Sequence, residues 1–285
     1  MPRARRADAT LRALLEAADT PAARERALAR DPVRFPRRYL QAADPCDVEV
    51  AAVLAAMCAY GRVDLFAPVL ERVFAHADAR GGPAALARTW DEADARALHD
   101  VQYRWNHPAD FHALFVLLGR VLAERGSVGA LFVAGPARES LSGAIDALRA
   151  LGPASPSRGL RTWMPTPRDG SACKRWLMLL RWMVRDDGID MGRWAHLSAR
   201  DLILPLDTHT GRISRLLALT TRATADWEAA EQVTRALGRL DPDDPVRFDF
   251  ALAHLGISGG CRGTHVPAIC GGCAVAPACR EGRRR

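Results

Sequence analysis

The stretch Pro165-Thr-Pro-Arg-Asp-Gly-Ser-Ala-Cys-Lys174 runs without interruption into Arg175-Trp-Leu-Met-Leu-Leu-Arg-Trp-Met-Val184. Two prolines and a glycine make the first half a turn-rich hairpin loop, and the second half is an apolar helix. Gly170 supplies an unusual backbone angle, and Ser171 is a natural N-cap. Lys174 then falls at N3, the slot where a capping box takes Glu or Gln. An ammonium there meets the positive end of the helix dipole and an apolar surround, and both disfavour its charged form. The placement points to a neutral amine. Arg181 and Arg185 lie within about 20° of Lys174 on the helical wheel. The resulting cationic stripe either adds to that field or is simply the solvated side of the helix.

Lys174 is also the only lysine in the 285 residues, so the remaining 39 of the 40 basic residues are arginine. Arginine stays protonated and cannot attack carbon, whereas lysine can. A chance survivor of an arginine-rich composition is the competing reading. Against 33 acidic residues the formal charge is +7, which favours a polyanionic partner. With 49% hydrophobic and 26% charged residues the chain has a globular composition. Its longest apolar run is far short of the ~20 residues needed to cross a bilayer, so no membrane partner is expected.

A second constellation is Leu204-Pro-Leu-Asp-Thr-His-Thr-Gly-Arg212, an apolar approach that stops at Asp207 and turns into a helix. Asp207 is the expected N-cap. A carboxylate held by a helix N-terminus stays ionised, which suits the partner of a developing cation. His209 and Arg212 follow on the first turns and could meet phosphate, although a lone histidine is more often structural.

Seven cysteines are present, and Cys46, Cys58 and Cys173 read as ordinary buried or half-buried thiols. Cys261, Cys270, Cys273 and Cys279 form C-x8-C-x2-C-x5-C in a Gly- and Pro-broken stretch, which is ligand spacing. The charged, amphipathic start is not a secretory leader, so a reducing, cytoplasmic compartment is expected and disulfides are not. Four thiolates suit either a tetrahedral zinc or a [4Fe-4S] cluster. Zinc ribbons show two C-x2-C knuckles, and the single knuckle Cys270/Cys273 favours iron and sulfur, with zinc the alternative.

Ala, Leu, Arg and Glu dominate, and no Asn-Gly or Asp-Gly hairpin separates alternating strands, so the fold class is all-α. Periodicity predicts helices over 7–18, 22–29, 48–60, 65–76, 84–88, 91–101, 108–124, 128–132, 141–148, 174–185, 207–217, 227–237 and 245–255. Residues 152–159 form a connector. The basic ends, Arg3 to Arg6 and Arg283 to Arg285, read as solvated arms.

A hairpin ending in lysine, an Asp-Thr-His helix start and a C-terminal four-cysteine loop, in that order, resemble the helix-hairpin-helix DNA glycosylase superfamily that includes endonuclease III. Two departures stand out: the first cysteine spacing is eight where that family has six, and the interval from Lys174 to Asp207 is longer. That interval, with Cys-Lys-Arg-x5-Arg-Trp-Met-Val-Arg and Pro-Leu-Asp-Thr-His-Thr-Gly-Arg, is more similar to the bacterial family DUF2400, as are Tyr103-Arg-Trp and Asp249-Phe-Ala-Leu-Ala-His-Leu-Gly256. The archaeal 8-oxoguanine glycosylases look like its nearest characterised relatives.

The resemblance implies two helical lobes flanking a DNA-binding cleft: a barrel over 48–185 carrying the hairpin, and a second lobe of 186–285 joined by the N-terminal helices of 1–47. Lys174 would then face Asp207 across the groove. It further implies a monomeric base-excision repair enzyme acting at the nucleoid, a DNA glycosylase with AP lyase activity. Its substrate would be double-stranded DNA carrying an oxidised purine such as 8-oxoguanine, flipped out of the stack. Lys174 would attack C1′, Asp207 would stabilise the cationic sugar, and Gly170, Ser171, Arg175, Arg181, His209 and Arg212 would hold DNA. The four cysteines would bind [4Fe-4S] in a structural role. The rival readings are a monofunctional enzyme in which Asp207 activates water, a non-catalytic DNA-binding protein of the same fold carrying Fe-S or Zn, and an iron-sulfur protein acting in electron transfer or as a redox sensor. Trp163, Trp176, Trp182 and Met178 are expected mostly in the core.

Overall fold

The computed structural model describes residues 2–257 and 260–284. The side chains of Arg3 and Arg5, and Arg285, which belong to the expected basic arms, lie outside the described residues. Helices follow one another along the chain: α1 (Pro2–Ala18), α2 (Pro21–Leu28), α3 (Arg34–Arg37), α4 (Cys46–Cys58), α5 (Val63–Ala79), α6 (Pro83–Thr89), α7 (Glu92–Ala97), α8 (Pro108–Arg125), α9 (Ala137–Leu151), α10 (Arg158–Trp163), α11 (Lys174–Val184), α12 (Thr208–Leu216), α13 (Trp227–Gly238), α14 (Asp249–Ile257) and α15 (Pro267–Cys270). Among the described residues extended pairing is confined to isolated bridges, so the fold is all-α. No helix there is long and apolar enough to cross a membrane.

The chain divides into two compact units, one of Met1–Ala29, Gly170–Arg181 and Ser198–Arg285, the other of Arg30–Asp169 and Trp182–Leu197. These bounds replace the expected breaks at 47/48 and 185/186. The break near 185 falls instead inside α11, between Arg181 and Trp182, and a short return segment, 182–197, belongs with the helices of 30–169.

In the unit built on 30–169, every residue of α4 is buried. A helix apolar all round is a core helix, and here it carries two acidic residues whose burial is explained by what they cap. Asp47 accepts from Ala84 N (2.8 Å) at the start of α6. Glu49 accepts from Val128 N (2.6 Å), Gly129 N (3.3 Å) and Trp194 Nε1 (2.8 Å). Burial pushes the Glu49 carboxyl up, and these donors only partly offset it. Helices α6 and α8 cross at Gly119, where a Cβ would lie 2.2 Å from the Ala87 carbonyl oxygen. Trp163 and Trp182 are buried in this unit, and Trp163 Nε1 donates to Met57 O (3.0 Å).

In the other unit, α1 packs against α14. Arg12 Nη1 reaches Leu240 O at 2.8 Å, and Arg239 meets Asp8 at 3.4 Å. Helix α12 lies along α14, and the loop before α12 is fixed to α13 by Leu204 N donating to Thr234 Oγ1 at 2.9 Å. Trp176 and Met178 are buried here.

The elements that sequence periodicity does not reveal are α3, α10 and α15, each of six residues or fewer. Such helices complete too few turns to show a period, and Pro36 and Pro267 inside two of them read as breakers.

Candidate active site

The site begins with the hairpin loop. Gly170 takes φ +74 with open space where a Cβ would stand, so the backbone angle alone requires glycine. The loop is docked on the start of α13, where Trp227 N donates to Gly170 O (3.3 Å) and Ser171 pairs with Asp226 in an isolated antiparallel bridge. Asp226 is the N-cap of α13, accepting from Ala229 N, and it also receives Arg222 at 2.5 Å. Arg222 holds its carboxyl far below the usual range against a smaller effect of burial.

Helix α11 starts at Lys174, so Lys174 is the first helical residue and not the fourth position of a capping box. Cys173, buried, takes φ +47, a left-handed conformation that a side-chain-bearing residue rarely adopts. Its carbonyl accepts the first helical hydrogen bond, from Leu177 N at 3.0 Å. The Ser171 hydroxyl accepts from Cys173 N (3.1 Å), so it closes the turn before the helix. Strain of this kind beside a lone lysine marks a place where the fold over-determines one conformation.

Asp207 caps α12 as its sequence implies, accepting from His209 N and Thr210 N, both at 2.8 Å. Its Oδ2 stands 3.2 Å from Lys174 Nζ, with the two side chains 33% and 21% exposed for lysine and aspartate. Both residues belong to the same unit, which corrects the expectation that they sit on opposite lobes. Burial pushes the Asp207 carboxyl up, but the attraction of Lys174, the Thr210 N–H and His209 together outweigh it and hold the group below the ordinary carboxylate value. A half-buried lysine–carboxylate pair at two helix starts can offer an amine, once it is deprotonated, to an electrophile while keeping an anion beside it.

The remaining expected DNA contacts separate. Gly170 is exposed, and Ser171 and Arg175 are half-buried near the helix start. His209 is exposed on the first turn of α12. Arg181 is a correction: it is buried, with Nη1 2.6 Å from Asp249 Oδ2, and presents no guanidinium to a surface phosphate. Arg185 is likewise buried, against Asp190 and Asp187. The cationic stripe is therefore neither solvated nor uncompensated. Arg212 is turned inward, donating to Cys261 O (2.7 Å), with its Nη2 3.3 Å from His209 Nδ1. Asp249 was not singled out as a site residue from sequence, although an acidic residue opening an apolar helix is the signal by which its position could be found.

The cysteine loop is laid along α12. Arg212 holds its beginning, and Arg280 N donates to Leu216 O (3.0 Å) just past its last cysteine. Cys261, Cys270, Cys273 and Cys279 are free, half-buried thiols. Burial pushes the Cys273 thiol up against the Val275 N–H, and Cys279, Cys261 and Cys270 add to the rise. Val266 N donates to Cys270 Sγ at 3.5 Å, the kind of N–H···S contact that tunes a metal-bound thiolate. Among the described residues no three His, Cys, Asp or Glu side chains are drawn together as a finished metal group. The donor set itself, four unpaired thiols in one turn-rich segment, fits thiolate-bound iron or zinc.

The family model DUF2400, described as a protein of unknown function, matches residues 31–258. The chain belongs to the DUF2400 family. Lys174, Asp207 and Asp249 lie inside the DUF2400 match, whereas the cysteine loop from Cys261 onward lies beyond it. No curated protein and no solved structure matches the chain.

Proposed function

We propose that this DUF2400 protein is a helix-hairpin-helix DNA glycosylase with AP lyase activity, acting on an oxidised purine in double-stranded DNA. The observation that carries the reading is the approach of Lys174 Nζ to Asp207 Oδ2 at 3.2 Å, with both side chains partly open to solvent. The helix-hairpin-helix element would be α10, the loop through Gly170 and α11. The exposed Gly170 turn and the exposed His209 supply the phosphate contacts, which position the duplex without reading its sequence.

Lys174, once deprotonated, forms a bond from Nζ to C1′ of the flipped nucleotide while the N-glycosidic bond breaks and the base leaves with its electron pair. Asp207 stays ionised and faces the positive charge that builds on the sugar, an electrostatic role that its lowered pKa suits better than that of a strong base. The sugar ring opens to an imine on Lys174. Loss of a C2′ proton then expels the 3′ phosphate, which is the lyase step. Cys261, Cys270, Cys273 and Cys279 would hold a [4Fe-4S] cluster, or zinc in its place, and because four thiolates fill its positions the group supplies structural cross-linking alone.

Base release and strand nicking on a duplex carrying 8-oxoguanine test this reading. Both should be present in the parent, and both should be lost in Lys174→Ala. Base release that survives Lys174→Arg and disappears in Asp207→Asn would instead establish the monofunctional, water-activating enzyme.

A further inference from the structure

Lys174 and Asp207 are far apart in sequence, and neither α11 nor α12 alone sets their separation. Both helices touch α14. At its first residue, Asp249 Oδ2 takes Arg181 Nη1 at 2.6 Å, with both side chains more than nine-tenths buried. Near its other end, Gly256 lies so close to α12 that a Cβ there would stand 3.0 Å from His209 Cβ, two residues past Asp207. The spacings match. Asp249 and Gly256 are seven residues apart, as are Lys174 and Arg181, and seven residues are two turns, about 10.5 Å along one helix face. One face of α14 thus holds the lower end of the Lys174 helix and the upper end of the Asp207 helix.

We propose that α14 is the template that fixes the Lys174–Asp207 distance, with Asp249 and Gly256 as its two positioning residues. Asp249 sets the roll and height of α11 through Arg181, and it also cancels the Arg181 charge on the face that carries Lys174. Gly256 sets the approach of α12, because a Cβ there would require His209, two residues past Asp207, to give by a few tenths of an ångström. The catalytic consequence rests on the proposed reading of Lys174 and Asp207 as the reacting pair, whereas the geometric one does not.

The single lysine makes the test direct. Full-length protein grown on 13C,15N-labelled lysine gives one side-chain signal, that of Lys174, whose shift reports the Asp207 carboxylate beside it. Two variants are compared with the parent: Gly256→Ala, and the double change Arg181→Met with Asp249→Leu, which replaces a buried ion pair by apolar groups, where Asp249→Asn alone would leave a buried charge. The expected result is a parent-like melting transition in both variants, a lysine signal displaced toward that of Asp207→Asn, and imine formation on abasic DNA slowed about tenfold or more at saturating DNA. Folded variants that keep the parental lysine signal would overturn the proposal. If the parent itself forms no imine, the glycosylase reading fails, and the lysine signal still decides whether α14 positions the pair.

Discussion

Lys174 Nζ stands 3.2 Å from Asp207 Oδ2, and each of the two residues lies at the start of a different helix. The amine is therefore held by a carboxylate that is itself held by two backbone N–H groups. Lys174→Arg keeps a cation opposite Asp207 but removes the nucleophile. It should melt within about 0.5 kcal/mol of the parent, as substitutions at part-exposed positions usually do, and form no covalent adduct with DNA. Calorimetry and gel-shift trapping read the two effects separately.

Asp207→Asn separates the cap from the charge. Asparagine caps helices about as well as aspartate, so Asp207→Asn should lose only what the carboxylate charge contributes, whereas Asp207→Ala should lose about 1 kcal/mol more with the cap. Both should lose the electrostatic partner of the reaction, with single-turnover rates down by about 10²–10³. Equal rates in the parent and Asp207→Asn would remove Asp207 from the chemistry.

The pH dependence follows from the sign of the Asp207 shift. Its folded value lies below the ordinary carboxylate value of about 3.9. The stability it contributes is therefore fully present above that ordinary value and is lost as pH falls through the folded one. Denaturant titrations of the parent and Asp207→Asn should differ by a constant amount from pH 5 to pH 7. The gap should narrow below about pH 4.

Two glycines in helices should respond in opposite directions. Gly143, in α9, has nothing near its missing Cβ, so Gly143→Ala should stabilise by about 0.5–1 kcal/mol. At Gly119 a Cβ would meet the Ala87 carbonyl oxygen at 2.2 Å, and Gly119→Ala should destabilise by about 1–3 kcal/mol or more. Thermal melts of the two variants check the close crossing of α6 and α8 directly.

The long helices and the Asp207 cap were legible in the sequence because apolar periodicity and an acidic residue before a helical run are local signals. The start of α11 was legible only to within its first turn. Cys173 unwinds the backbone with φ +47, and nothing about a cysteine announces a positive φ, so the sequence points to Ser171 as the cap. The pairing of Arg181 is hidden for a different reason: its partner Asp249 lies far along the chain, and a helical wheel shows spacing on one helix but not what faces it. The inward turn of Arg212 toward Cys261 O was hidden in the same way. The proximity of Lys174 and Asp207 within one unit likewise depends on α14, whose contacts with α12 no local pattern discloses.

The cysteine loop carries its own prediction. Protein purified without oxygen should be brown, absorbing near about 400 nm through thiolate-to-iron charge transfer. Cys273→Ser should lose the colour, since it removes one thiolate of the Cys270/Cys273 knuckle. Colourless protein holding one zinc per chain would assign the site to zinc.

The proposed function turns on an imine between Lys174 and the deoxyribose of damaged DNA. Borohydride trapping of parent and Lys174→Ala on duplexes carrying 8-oxoguanine, uracil, thymine glycol or an abasic site tests it most directly. The expected result is a covalent adduct on the 8-oxoguanine and abasic duplexes that requires Lys174, with the label recovered on the one lysine of the chain. Absence of adduct from every duplex, or an adduct that persists in Lys174→Ala, would contradict it.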